Sequence, residues 1–231
     1  MNIKSILILL ILVPFLSCQK KDVSATLNIT IELENKFNKE YADLSFLRIY
    51  KDRKIFKEIK AENLPFIQHK IKLEKLKDGK YQFEYTNIFE QKIMKELNID
   101  ESRIYNISLN PDYSDYKKNF KKSLIGNLKE KHFFFFFYQS RGCFNSEKDS
   151  IVIYKKENFY EVERNGIKTK LNDYQVNNLI KMECQLINIK EGGCTTSDIY
   201  TFSFENSKRK FIDATCRWNG WETLQMEMKW K

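Results

Sequence analysis

Hydrophobic and polar residues alternate strictly at the start of the chain's folded part. Over residues 24–35, Leu27, Ile29, Ile31 and Leu33 are interleaved with Asn28, Thr30, Glu32 and Glu34. A period of two with one apolar face predicts a half-buried strand. Similar runs at 44–51, 54–60, 67–73, 80–87 and 103–109 recur at the spacing of an antiparallel sandwich. Asp78-Gly79 supplies a tight turn, because glycine adopts positive φ without a steric penalty. Residues 89–97 suit a strand or a short connecting helix equally. His69 falls in phase with Ile67, Ile71 and Leu73, which makes it an inward or edge residue rather than a ligand.

The alternation stops at 111–127, where Pro111 cannot continue a central strand and Lys117, Lys118, Lys121 and Lys122 crowd a short aromatic-spotted stretch. A linker is expected there, between a sandwich over 24–110 and a second unit over 128–231. That second unit opens on five consecutive phenylalanines, 133–137, which leave no polar face. The pattern predicts a central strand covered on both sides, with each ring contributing about 2–3 kcal/mol by burial; the alternative is a patch that inserts into a membrane or binds a partner.

Further strands are expected at 150–154, 158–164 and 167–171, the last after a turn at Gly166. Asn172 or Asp173 can then cap a helix in which Val176, Leu179, Ile180, Glu183 and Leu186 share one face. Gly192-Gly193 separates that helix from a hairpin, 199–204 with 210–215, turning at Asn206-Ser207. A short C-terminal helix follows Asn219-Gly220 and carries Trp221, Leu224 and Met228 on one side. The expected fold is therefore mainly β in two units: an antiparallel β-sandwich, then an α+β domain with an antiparallel sheet and two helices.

The first residues are of a different kind. A positive start, Met1 to Lys4, precedes an apolar stretch over 5–15 that is short for a bilayer span and suits a signal-peptide core. No alanine occurs before Ala25, so a cleavage site of the A-x-A kind is missing. Phe15-Leu16-Ser17-Cys18 instead resembles a bacterial lipobox. The resemblance implies removal of residues 1–17, acylation of Cys18, a tether over 18–23 and attachment to the cell envelope. Several acyl chains, at about 0.8 kcal/mol per buried methylene, make a durable anchor. Lys20 and Lys21 would lie beside the headgroups, and Gln19, where some lipoproteins carry an acidic retention signal, points to the outer membrane or the surface. Within the first unit, Leu76-Lys77-Asp78-Gly79-Lys80-Tyr81-Gln82-Phe83-Glu84-Tyr85 resembles the immunoglobulin-like or prealbumin-like modules of exported bacterial lipoproteins. That resemblance implies a fold and no activity.

Composition narrows the function. At 42% hydrophobic and 14% aromatic residues the mature part must fold rather than form a disordered stalk. The formal charge of +9 is carried mostly by lysines spread along the chain, whereas nucleic-acid surfaces cluster charge and favour arginine. No nucleic-acid partner is expected.

Export makes oxidation the default for the four later cysteines, Cys143, Cys184, Cys194 and Cys216. Three connectivities are possible. Cys194 and Cys216 flank the proposed hairpin, which favours that pair and leaves Cys143 with Cys184, each closure contributing about 3–4 kcal/mol on chain-entropy grounds. No C-x-x-C, G-x-S-x-G or glycine-rich phosphate loop is present, and His132 is the single histidine of the second unit. No catalytic residue, metal or cofactor is assigned. Asp198, Tyr200, Arg217, Trp218 and Trp221 lie close to the cysteines and to strand ends, and they form the candidate binding surface. The local pattern around them resembles small domains of secreted bacterial proteins and lipoproteins, without catalytic residues. The expected function is a non-enzymatic binding or interaction protein of the envelope, with an unidentified protein partner. The alternatives are an inhibitor or immunity-type lipoprotein blocking a toxin or hydrolase, and an envelope enzyme, which converging acidic side chains in a cleft would signal.

Overall fold

The computed structural model describes residues 22–36, 43–61, 66–67, 69–142, 146–189 and 192–230. The expected signal peptide and Cys18 lie outside them. Among the described residues no helix is long and apolar enough to cross a membrane.

The first seven strands are β1 (Ala25–Ile31), β2 (Phe46–Lys51), β3 (Lys54–Lys60), β4 (Lys70–Leu76), β5 (Gly79–Thr86), β6 (Lys92–Ile99) and β7 (Ile104–Leu109). They build two sheets, ordered β4-β1-β7 and β3-β2-β5-β6. Every neighbouring pair is antiparallel except β1 with β7, which run parallel. The alternating residues Leu27, Ile29 and Ile31 meet Leu47, Ile49, Tyr81, Phe83 and Tyr85 in one apolar cluster. This is the core of a sandwich, the outcome of period-two patterning on two facing sheets. Asp52 and Arg53, at φ 50 and 68, close the two-residue β2–β3 turn, and Gly79 takes φ 145 as its position demands. His69 is exposed at the entry to the edge strand β4. Residues 89–97 resolve into a turn and strand β6.

Stretch 111–127 is packed, not a free charged connector. Asp112 accepts hydrogen bonds from the backbone of Glu34 and Asn35 at 2.7 and 2.9 Å. A 3-10 helix, Tyr116–Lys122, follows, and beyond it Ile125 and Leu128 are buried in the second core.

The second unit contains β8 (Phe133–Arg141), β9 (Ser146–Lys155), β10 (Tyr160–Arg164), β11 (Ile167–Leu171), α1 (Asp173–Leu186), β12 (Ser197–Phe204), β13 (Ser207–Asp213) and α2 (Gly220–Glu227). Its six strands form one antiparallel sheet in the order β11-β10-β9-β8-β12-β13. Helix α1 opens with a reciprocal capping box between Asn172 and Gln175. The two units also share a core residue. The Asn87 side chain accepts from the backbone N–H groups of Phe89 and Gln91 at 3.0 and 2.7 Å, and the turn it fixes delivers Phe89 into the second core, edge-on to Trp218.

Two expectations are corrected here. Strand β8 is central, but it is not covered on both sides: Phe134 and Phe136 are buried, Phe135 and Phe137 are half-buried, and Phe133 is 56% exposed. Among the described residues only one face of the sheet carries helices, so successive rings meet opposite environments. The pairing of Cys143 with Cys184 is not formed, since Cys184 holds a free thiol buried within the core-facing side of α1. Burial pushes that thiol up to about 11. Cys143 itself lies outside the described residues. Cys194 and Cys216 are bonded as expected, with their Cα atoms 5.8 Å apart.

Candidate functional site

The five residues singled out in the sequence do not form a surface. Tyr200, Trp218 and Trp221 are buried at 0%, 6% and 2% exposure. Alternation along β12 places Tyr200 beside Phe202 on the helix-covered face, opposite Tyr138 of β8. Trp221 of α2 stacks on Phe136 and Tyr138, both at 5.2 Å, while Trp218 closes on Tyr200 at 5.5 Å. Gly220 permits this packing, since a Cβ there would stand 2.2 Å from the Trp218 ring. These rings are the core that attaches α2 to the sheet. Arg217 forms an ion pair with Asp43 and lies 5.7 Å from the Phe66 ring, so it ties the second unit to the first.

Asp198 belongs to a polar row that ends the aromatic core. It is half-buried beside Ser140, Tyr138 and Tyr200, and Asp213 faces it across the β12–β13 pair. Asp213 accepts from the Thr215 backbone and hydroxyl at 2.9 and 2.6 Å, which sets the turn leading to Cys216. Burial pushes both carboxyls above the usual range; for Asp213 the neighbouring Asp198 adds to the effect. Burial likewise raises the Tyr200 hydroxyl, which makes no hydrogen bond of good geometry although Asp198 lies near it. Chemically the row can hold protons to higher pH than ordinary carboxylates. Its place behind the tryptophans makes it a structural element rather than an open cleft. Among the described residues, no group of three or more His, Cys, Asp or Glu is arranged to hold a metal ion.

The open surfaces lie elsewhere. On the uncovered face of the six-stranded sheet, Phe133, Phe135 and Phe137 stand beside Val152 and Tyr154 of β9, and Ile212 of β13 is 38% exposed. The face is bordered by lysines on both edge strands, Lys168 and Lys170 on β11 and Lys208 and Lys210 on β13. On this face the Tyr154 hydroxyl donates to Glu163 at 3.0 Å, and Lys168 pairs with the same carboxylate at 3.7 Å. The run of five phenylalanines was the sequence signal for this surface, but only the one-sided helix cover turns alternate rings outward.

A second concavity, of about 490 Å³, lies between the 3-10 helix, the end of α1 and the edge strand β13. Leu124, Ile187 and Phe211 give it an apolar floor, and Lys121, Lys122 and Arg209 surround it. Nothing in the sequence marked it, because its residues come from three separated segments. A third cavity, between the two units near Asn35, Asp112 and Thr223, measures about 30 Å³ and is no larger than one water's share of liquid volume.

No protein-family model matches the chain, and no curated protein matches it. Among solved structures, the Bacillus anthracis TIE protein is similar at 12% identity and a TM-score of 0.33. The match covers 84% of this chain and 31% of that one. A likeness at that score carries no argument about function.

Proposed function

We infer that the chain is a lipid-anchored protein of the bacterial cell envelope, held through Cys18 at the outer membrane or surface, that works by binding a partner. The single observation behind this reading is the aromatic outer face of the six-stranded sheet, where alternate phenylalanines face away from the core between two lysine-bearing edge strands. Apolar rings with a basic border suit a partner whose own surface is apolar at the centre and acidic around it. The lipobox-like stretch at residues 15–18 supports the anchor.

The test has two arms in a lipoprotein-processing bacterial host. Alkyne-palmitate labelling and membrane fractionation of the full chain are expected to show label and membrane association, both lost in Cys18→Ala; label that persists would remove the anchor. Crosslinking from the intact envelope is expected to recover one stoichiometric protein, absent when Phe133→Asp and Phe135→Asp are combined. Recovery of the same protein by that variant would exclude the sheet face. If the purified chain turned over ester, glycoside or peptide substrates, the binding reading itself would fall.

A further inference from the structure

We propose that the groove between the 3-10 helix, the end of α1 and strand β13 binds a single-chain anionic amphiphile, an acyl chain with a carboxylate or phosphate head. The site is separate from the aromatic sheet face and does not depend on it. Its floor is hydrocarbon from Leu124, Ile187 and Phe211, anchored from below by the contact of Phe211 with buried Phe202 at 5.3 Å between ring centres. One wall is fixed by Glu183, which is fully buried and accepts hydrogen bonds from the Ser123 hydroxyl and from the backbone of Leu124 and Ile125, at 2.6, 2.6 and 3.1 Å.

The remaining chemistry of the groove selects the occupant. Lys121, Lys122 and Arg209 are all exposed, and among the described residues no ion pair joins any of them; the Arg209 charge acts on the buried Glu183 carboxyl, so the uncompensated positive charge at the border is that of the two lysines. The polar side chains of the lining are already engaged. The Ser123 hydroxyl serves Glu183 and the Gly126 N–H, and the Asn127 amide donates to the backbone oxygens of Lys121 and Ser123 at 3.2 and 2.6 Å. A peptide laid on this floor would have to set backbone N–H and C=O groups against hydrocarbon, and burying such groups unpaired is costly. A plain acyl chain has no such groups, and its head meets the three cations. The volume of about 490 Å³ lies within the range of small-molecule sites, about 300–1,000 Å³.

The experiment uses the chain from residue 18 onward with Cys18→Ser, which contains every described residue. Calorimetric titrations would compare dodecanoate and dodecyl phosphate below their micelle concentrations with dodecyl maltoside, inorganic phosphate and an acidic peptide bearing one phenylalanine. Saturable one-site binding of an anionic amphiphile is expected, at least tenfold tighter than any of the other three. The carboxylate and phosphate arms separate a fatty-acid source from a phospholipid-type head. Lys121→Glu with Lys122→Glu, both at exposed positions, is expected to weaken binding at least tenfold, Ile187→Glu to abolish it, and Phe133→Asp to leave it unchanged. No saturable binding, equal affinity for the maltoside, preference for the peptide, or full affinity in the lysine variant would each overturn the proposal. None of these results would touch the reading of the sheet face, which the crosslinking experiment decides.

Discussion

The two faces of the six-stranded sheet are made from the same strands and have opposite fates. On one, Phe134, Phe136, Tyr138, Tyr200 and Phe202 are buried beneath α1 and α2 and joined by Trp218 and Trp221. On the other, Phe133, Phe135 and Phe137 lie beside their sheet neighbours, with no helix over them among the described residues. Local sequence cannot distinguish the rings of β8, since Phe133 to Phe137 form one unbroken run. The difference lies in what comes later in the chain: one helix between β11 and β12 and another after β13 both dock on the same side. An uncovered aromatic face is the kind of patch that solvent-exposed surfaces usually lack unless something binds there.

Truncating one ring on each side separates the two faces most sharply. Phe136→Ala is expected to cost about 3–5 kcal/mol in denaturant unfolding, the range for a fully buried aromatic, whereas Phe135→Ala should cost about 1 kcal/mol or less. Equal losses would mean that the outer face is covered after all.

The next effect is on the cover itself. The Cys194–Cys216 bridge joins the segment before β12 to the one before α2, and Gly192 lies so close to Ala214 that a Cβ would stand 2.1 Å from its carbonyl oxygen. Replacing both cysteines by serine should lower stability by about 3 kcal/mol, measured by thermal unfolding, with the inner face affected more than the outer. In the same preparations, titration of denatured, unreduced protein should find the Cys184 thiol free. A chain with no free thiol would restore the pairing expected from the sequence.

The smallest effect concerns pH. Asp198 and Asp213 have carboxyls held above their ordinary range in the folded state, so in the window between the ordinary and the raised values the folded chain binds more protons than the unfolded one. Their contribution to stability is therefore fully present below the ordinary carboxylate range and is lost as pH rises through the raised values. Thermal midpoints should decline across that window, and Asp198→Asn combined with Asp213→Asn should flatten the decline. An unchanged slope in the double variant would show that these carboxyls are not protonated inside the fold.

Much of the architecture is readable from particular residues. Leu27, Ile29 and Ile31 announced β1 because a strand with one wet face writes its environment as a period of two. Asn172 or Asp173 marked the start of α1, and it is Asn172 that caps it; Cys194 and Cys216, 22 residues apart, flank a hairpin that brings them together. Reading failed where the answer depended on distant segments. Tyr200, Trp218 and Trp221 looked like a display surface near strand ends, yet they are the aromatic seam between sheet and helix. Asp112, in an expected linker, holds the backbone of Glu34 and Asn35. The groove was invisible because Leu124, Ile187 and Phe211 are far apart in the chain.

Most of the strands and the Cys194–Cys216 disulfide were written in the local sequence, because backbone periodicity, turn chemistry and short loops are local constraints. Tertiary structure alone decided which face of the second sheet is covered, where Phe89 and Arg217 join the two units, and which apolar side chains remain available to a ligand. Burial is a property of pairs of surfaces, and the second surface of each pair is supplied by a part of the chain that local patterning cannot locate.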